Sequence, residues 1–162
     1  MKGAILDKGE EYYTNMSRVF YAIHNAQKEY NWLITDLELN GGYPEAFHDE
    51  YLNNGYIWIT GEQLTDIVNG NEYCQWVWAV LSGFSKNITK NEVLQYSLPY
   101  ADGYSGFWEN PITIQHPLAD IEIVPWDSSL VLIISKHDEI VNNFIESKPF
   151  AIDLEIYNDA VD

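Results

Sequence analysis

Residues 120–135, Asp120-Ile121-Glu122-Ile123-Val124-Pro125-Trp126-Asp127-Ser128-Ser129-Leu130-Val131-Leu132-Ile133-Ile134-Ser135, carry the clearest structural signal in the chain. Ile121 and Ile123 alternate with Asp120 and Glu122, the two-residue period of a strand with one face turned inward. Pro125-Trp126-Asp127-Ser128 supplies turn chemistry, and Ser129 to Ser135 is a continuous apolar run of strand length. A hairpin follows from these two strands. Downstream, Ile140, Val141, Phe144 and Ile145 recur at helical spacing over 136–147, with Ser135 and Asp138 as a capped start and Lys148-Pro149 as the stop. Phe150, Ile152, Leu154 and Ile156 then alternate with Asp153 and Glu155, which predicts a last strand with a wet acidic face. Such an order belongs to helices packed on a sheet. The expectation is an α+β fold: a single globular domain over 1–162, with a mixed or mostly antiparallel sheet and two to three packed helices.

Working back toward the N-terminus, Lys2 to Leu6 reads as a short strand. Over 9–27, Tyr12, Met16, Val19, Ile23 and Ala26 lie at alternating spacings of four and three, widened by Phe20, and predict an amphipathic helix. Asn31 to Leu39 reads as a strand closed by Gly41-Gly42, after which the chain is rich in turn residues. Tyr56 to Ile59 is a further strand. Thr60 and Gln63 form a capping-box pattern before Leu64, Ile67 and Val68, and Asn69-Gly70-Asn71 ends that helix. Residues 73–81 are apolar on both periods, and their aromatic and β-branched content favours a strand. Leu98 to Pro117, crowded with Pro, Gly and aromatics and lacking a sustained period, is a long loop. No repeat or linker divides the chain.

Charge limits the function classes. The chain has 25 acidic residues against 8 basic ones, a net charge of -17, and Arg18 is its only arginine. Nucleic-acid binding needs clustered Lys and Arg to neutralise phosphate, and an anionic membrane surface repels such a chain for the same reason. A basic protein, by contrast, is attracted and steered. No stretch is long and apolar enough for a membrane span, and the first residues do not form a signal peptide, so a cytoplasmic location is expected. Cys74 is the only cysteine, set among Tyr73, Trp76, Val77 and Trp78, and reads as a buried structural thiol. The sequons at Asn15 and Asn87 have no meaning without export.

Catalytic patterns in the chain are weak. Gly103-Tyr104-Ser105-Gly106-Phe107 approaches a nucleophile elbow, but Phe107 occupies the position of the required second glycine. His48-Asp49-Glu50 and His137-Asp138-Glu139 repeat a triplet whose adjacent side chains do not converge on one ion, and neither His24 nor His116 stands at metal-ligand spacing. No phosphate loop, dinucleotide fingerprint or cysteine cluster is present. No catalytic residue, metal ligand or cofactor is assigned.

Two segments stand out because they pair aromatics with acids: Gly41 to Gly55, with Tyr43, Glu45, Asp49, Glu50 and Tyr51, and Tyr100 to Glu109, with Asp102, Tyr104, Trp108 and Glu109. Tyr and Trp are favoured interface anchors and flanking carboxylates suit a basic partner. Tyr43, Glu45, Asp49, Glu50, Asp102, Tyr104, Trp108 and Glu109 are therefore the candidate partner-binding residues. The alternative is that the aromatics cover the core beneath loops.

Over about the last 40 residues, the Trp126-Asp127-Ser128-Ser129 hairpin, the apolar strand after it, the Ser135-Lys136-His137-Asp138 helix start and the closing Pro149…Asp153-Leu154-Glu155 stretch resemble a pattern in small bacterial proteins, some of which are similar to immunity proteins of polymorphic-toxin systems. That resemblance implies a toxin-neutralising partner and no catalysis, and transfers no functional residue. The expected function is a non-enzymatic acidic binding protein of the immunity type, neutralising a basic toxin. The competing expectation is a small-molecule or carbohydrate-binding domain, or an enzyme of another type, with Tyr104 and Trp108 in the 100–109 loop stacking on a ligand.

Overall fold

Apolar residues on both faces of the central strands, rather than on one, dictate the layering of this protein, seen in a computed structural model that describes residues 1–161. In chain order the elements are β1 (Lys2–Leu6), α1 (Met16–Ala22), β2 (Tyr30–Asn40), α2 (Glu45–Asn54), β3 (Ile57–Thr60), α3 (Gly61–Gly70), β4 (Gln75–Ser85), α4 (Lys90–Val93), β5 (Ile121–Trp126), β6 (Leu130–Ser135), α5 (Asp138–Ser147), β7 (Ile152–Asp153) and α6 (Leu154–Ala160). The strands form one seven-stranded sheet in the order β3-β2-β4-β5-β6-β1-β7. Every pairing in it is antiparallel. The fold is α+β, as the sequence predicts, although α2, α3 and α5 are joined by three shorter helices where two to three helices were expected.

Strand geometry sends successive side chains to opposite faces, so each strand feeds two cores. Ala4, Leu6, Trp32, Ile34, Leu81, Ile121, Ile123, Val131 and Ile133 pack on one face beneath α1, α2, α3 and α5, which contribute Met16, Phe20, Phe47, Leu64, Val141 and Phe144. Ile5, Leu33, Val80, Val124, Leu132 and Ile134 pack on the other, covered by the long connection from β4 to β5 through Ala101, Phe107, Ile112 and Ile114, and by Leu154 of α6. β6 is buried at every residue, which explains why its sequence is apolar without alternation. α3 is capped as predicted, Thr60 accepting from the Gln63 N–H and the Gln63 side chain returning to the Thr60 N–H. Its first residue must be glycine: a Cβ on Gly61 would lie 2.1 Å from the Gln27 carbonyl oxygen.

Four local expectations are corrected. The helix predicted over 9–27 shortens to α1, because Asn15 caps it through the Arg18 N–H while His24 and Asn25 leave it with positive φ (56° and 58°). Residues 45–54 form a helix rather than turns, entered from Pro44 and closed by Gly55 at φ 74°. The start of α5 is His137 without a side-chain cap, Ser135 instead accepting the His137 N–H at 2.9 Å. The strand predicted over 150–157 is reduced to β7, and α6 takes over because Asp153 accepts from the N–H groups of Glu155 and Ile156. Its buried residues Leu154 and Asn158 are four apart, a helical spacing.

Candidate functional site

β2 changes register against β4 between Thr35 and Glu38, and Asp36 sits there with φ 51°. A bulge of this kind re-aims side chains on both faces of a strand. Here it anchors both aromatic-acidic segments. The Asp36 carboxylate accepts the N–H groups of Ala101 and Asp102 at 2.8 and 3.1 Å, tying down the start of the 100–109 segment. The backbone of Leu37, beyond the reach of β3, is satisfied by two phenols: its N–H donates to Tyr51 Oη at 2.9 Å and its carbonyl accepts from Tyr43 Oη at 3.2 Å. The Tyr43 and Tyr51 rings stack, with centroids 6.2 Å apart and planes 15° from parallel. Burial pushes the Tyr51 phenol above its ordinary pKa.

α2 docks by Phe47, which is fully buried, and leaves a shallow groove of about 740 Å³ beside α3, lined by Pro44, Glu45, Ala46, Asp49, Glu50, Ile67 and Asn71. Three of the candidate acids therefore converge, on the wall of a groove whose remaining lining is apolar or amide. Glu45 and Asp49 are exposed, whereas Glu50 is half-buried and accepts the Trp58 N–H at 2.9 Å. Among the described residues Asp49 forms an ion pair with His48 alone, at 3.2 Å, and no Lys or Arg pairs with any of the three acids. Tyr43 serves the bulge and borders this end of α2.

The other candidates lie on the opposite face of the sheet. Trp108 is half-buried in an aromatic stack, 5.7 Å from Trp126 and 6.2 Å from Tyr157 between ring centroids. Tyr104 packs edge-on against Phe107 at 4.7 Å and Tyr100 at 5.4 Å, and burial followed by the nearby Glu122 raises its pKa. Asp102 and Glu109 are exposed, Glu109 accepting from the Ser105 hydroxyl at 3.2 Å. The eight candidates thus form two patches sharing one anchor, the bulge at Asp36 and Leu37.

Glu122 alternates with Ile121 and Ile123, a pattern that by itself would turn it toward water, yet it is not solvated. Glu122 is fully buried on β5, because the 98–117 loop covers the face to which it points. One oxygen accepts the Gln115 N–H at 3.1 Å; the other has no partner among the described residues, nor does the hydroxyl of Ser82, which stands opposite on β4. Desolvation pushes its carboxyl up to about 8, so it holds its proton at neutral pH. His116 is also buried, its Nε2 2.9 Å from the Val93 carbonyl and its Nδ1 accepting the Leu118 N–H at 3.1 Å, a neutral Nε2–H imidazole whose pKa burial lowers. Cys74 is buried against Gly42, its thiol 3.2 Å from that carbonyl and pushed above its ordinary pKa by burial. His24, His48 and His137 are exposed. Among the described residues no group of three or more His, Cys, Asp or Glu is arranged to hold a metal ion, and no helix is long and apolar enough to cross a membrane.

No protein-family model, no curated protein and no solved structure matches the chain.

Proposed function

We propose that the protein is a non-catalytic binding protein for a basic polypeptide, an immunity-type neutraliser of a basic toxin acting in the cytoplasm, and that the groove between α2 and α3 receives that partner. The observation that supports this most is the convergence of Glu45, Asp49 and Glu50 on one groove with, among the described residues, no Lys or Arg paired to them. A net charge of -17 adds a long-range attraction that draws a cationic surface toward this groove. Pro44, Ala46 and Ile67 offer it a small apolar floor. Tyr104 and Trp108, packed into the second core, fit the role of a cover better than that of a stacking platform for a ligand.

The test is kinetic. A basic partner captured from the native cell should associate with the wild type at a rate that falls steeply with salt, since charges separated by more than about 8 Å are screened at physiological ionic strength. Glu45→Gln with Asp49→Asn, both at exposed positions, should slow association about tenfold or more at low salt and flatten the salt dependence while changing dissociation little. Glu50 is left intact because it also holds the Trp58 N–H. An acidic partner, or association indifferent to salt and to both substitutions, overturns the reading.

A further inference from the structure

The chain's only arginine stands unpaired. Arg18 is exposed on α1, and although the protein holds 25 acidic residues, none lies within 4.0 Å of its guanidinium among the described residues. It lines an open cavity of about 490 Å³ with Tyr12, Thr14, Glu72 and Tyr73, between the segment before α1 and the connection from α3 to β4. It also borders a second hollow of about 470 Å³ with Tyr21 and Lys148. The three most exposed tyrosines of the protein, Tyr21 (78%), Tyr73 (73%) and Tyr12 (58%), all border these two hollows.

Exposed phenol rings around a free guanidinium do not serve the core, since none of the three belongs to either apolar cluster. Tyr73 is held in place by its hydroxyl, which donates to Asn71 Oδ1 at 3.1 Å. Tyr and Arg, with Trp, are enriched where binding energy concentrates, because rigid amphipathic rings and a planar donor fork lose little freedom on binding. The cavity also contains the opposite charge. Glu72 lines it with Arg18 and the two do not form an ion pair within 4.0 Å, so among the described residues a cation and an anion stand in one hollow, both exposed to a ligand. A purely anionic ligand would approach against a net charge of -17, whereas a zwitterion carries no net charge and meets no such barrier.

We propose that this cavity binds a small zwitterion of the α-amino-acid class with a flat side chain, its carboxylate on Arg18, its ammonium toward Glu72 and its body between Tyr12 and Tyr73. The size suits the class, since small-molecule pockets begin at roughly 300 Å³. The site is separate from the groove between α2 and α3 and does not depend on it.

The experiment is an amide-resolved NMR titration of the whole protein with L-phenylalanine, phenylacetate and phenethylamine as probes, each up to about 10 mM so that a millimolar Kd is visible. Saturable shifts should map to Tyr12, Arg18, Glu72 and Tyr73, with L-phenylalanine binding best. Arg18→Gln should weaken L-phenylalanine and phenylacetate about tenfold and leave phenethylamine unchanged, the size expected for one charge-assisted contact. Glu72→Gln should weaken L-phenylalanine and phenethylamine and spare phenylacetate. Both residues are exposed, and the unliganded spectrum of each variant reports its fold. Absence of saturable shifts in the wild type, shifts mapping elsewhere, or equal L-phenylalanine affinity in Arg18→Gln overturns the proposal.

Discussion

Glu122→Gln should abolish the fall in stability that burial of this carboxyl imposes between weakly acidic and weakly alkaline conditions. In the folded chain the carboxyl is buried under the 98–117 loop, with one hydrogen bond from Gln115 and one oxygen unpartnered, and its pKa rises from 4.5 to about 8. Below pH 4.5 both folded and unfolded chains hold the proton and the residue adds no pH dependence. Above it the unfolded chain releases the proton while the folded chain keeps it, so the folded state binds more protons and stability falls as pH rises. The fall continues to about pH 8, where the folded state ionises as well, and then levels off. Each pKa unit is worth about 1.4 kcal/mol, so the whole interval amounts to about 5 kcal/mol, and about 3 kcal/mol is already lost at pH 7. Against a typical domain stability of about 5–15 kcal/mol this is a large fraction. Glutamine keeps the shape, still accepts from the Gln115 N–H, and can offer its amide to Ser82, but it cannot ionise. His116, whose pKa burial lowers, and Glu62 and Glu92, held below the usual carboxylate range by Lys86 and by the Thr89 backbone respectively, act in the opposite direction but are unchanged in the variant, so they cancel in the difference. Urea denaturation of both proteins at intervals from pH 4.5 to 9 measures the gap. The variant should gain on the wild type steadily from pH 5 to 8, by about 4 kcal/mol in all, and no further above that. Curves that run parallel from pH 5 to 8 refute the argument and place the Glu122 carboxyl in water in the folded state.

Three other outcomes follow from the packing. Tyr51→Phe should cost about 1–3 kcal/mol in chemical denaturation, since the Leu37 N–H loses the acceptor that β3 does not supply; no loss would mean that water replaces the phenol. Gly61→Ala should destabilise by more than the roughly 1 kcal/mol by which alanine normally improves a helix, and in the opposite direction, because the new Cβ meets backbone at Gln27, Lys28 and Tyr30; a stabilised variant in thermal melts would refute that close approach. Phe144→Ala, at a fully buried position in α5, should cost about 3–5 kcal/mol through lost burial and the cavity left behind, and an unchanged urea midpoint would remove α5 from the core.

Hydrophobic period and end signals were enough to locate most of the sheet and two of the three longest helices from the amino-acid sequence. The hairpin of β5 and β6, the strands β1 to β4 and the capped helix α3 all follow from local chemistry, because alternation, turn residues and the Thr60–Gln63 box act over a few neighbours. Where two local rules conflict, the period misleads. Phe150, Ile152 and Ile156 alternate like a strand yet are all exposed, and the Asp153 cap with the buried pair Leu154 and Asn158 determines a helix. The acidic character was also legible from composition, but its arrangement was not. That Glu45, Asp49 and Glu50 share a groove follows from α2 packing beside α3, and that Tyr104 and Trp108 fall on the other face follows from the path of the chain across the sheet. That Arg18 lines one cavity with Glu72 and Tyr73, more than fifty residues away in the chain, is beyond the reach of any periodicity. Glu122 makes the same point on one residue: its own strand marks it as solvated, and only the loop folded over that face removes the water and keeps the proton. Local sequence sets which face a side chain occupies, whereas its surroundings depend on what distant parts of the chain lay against that face.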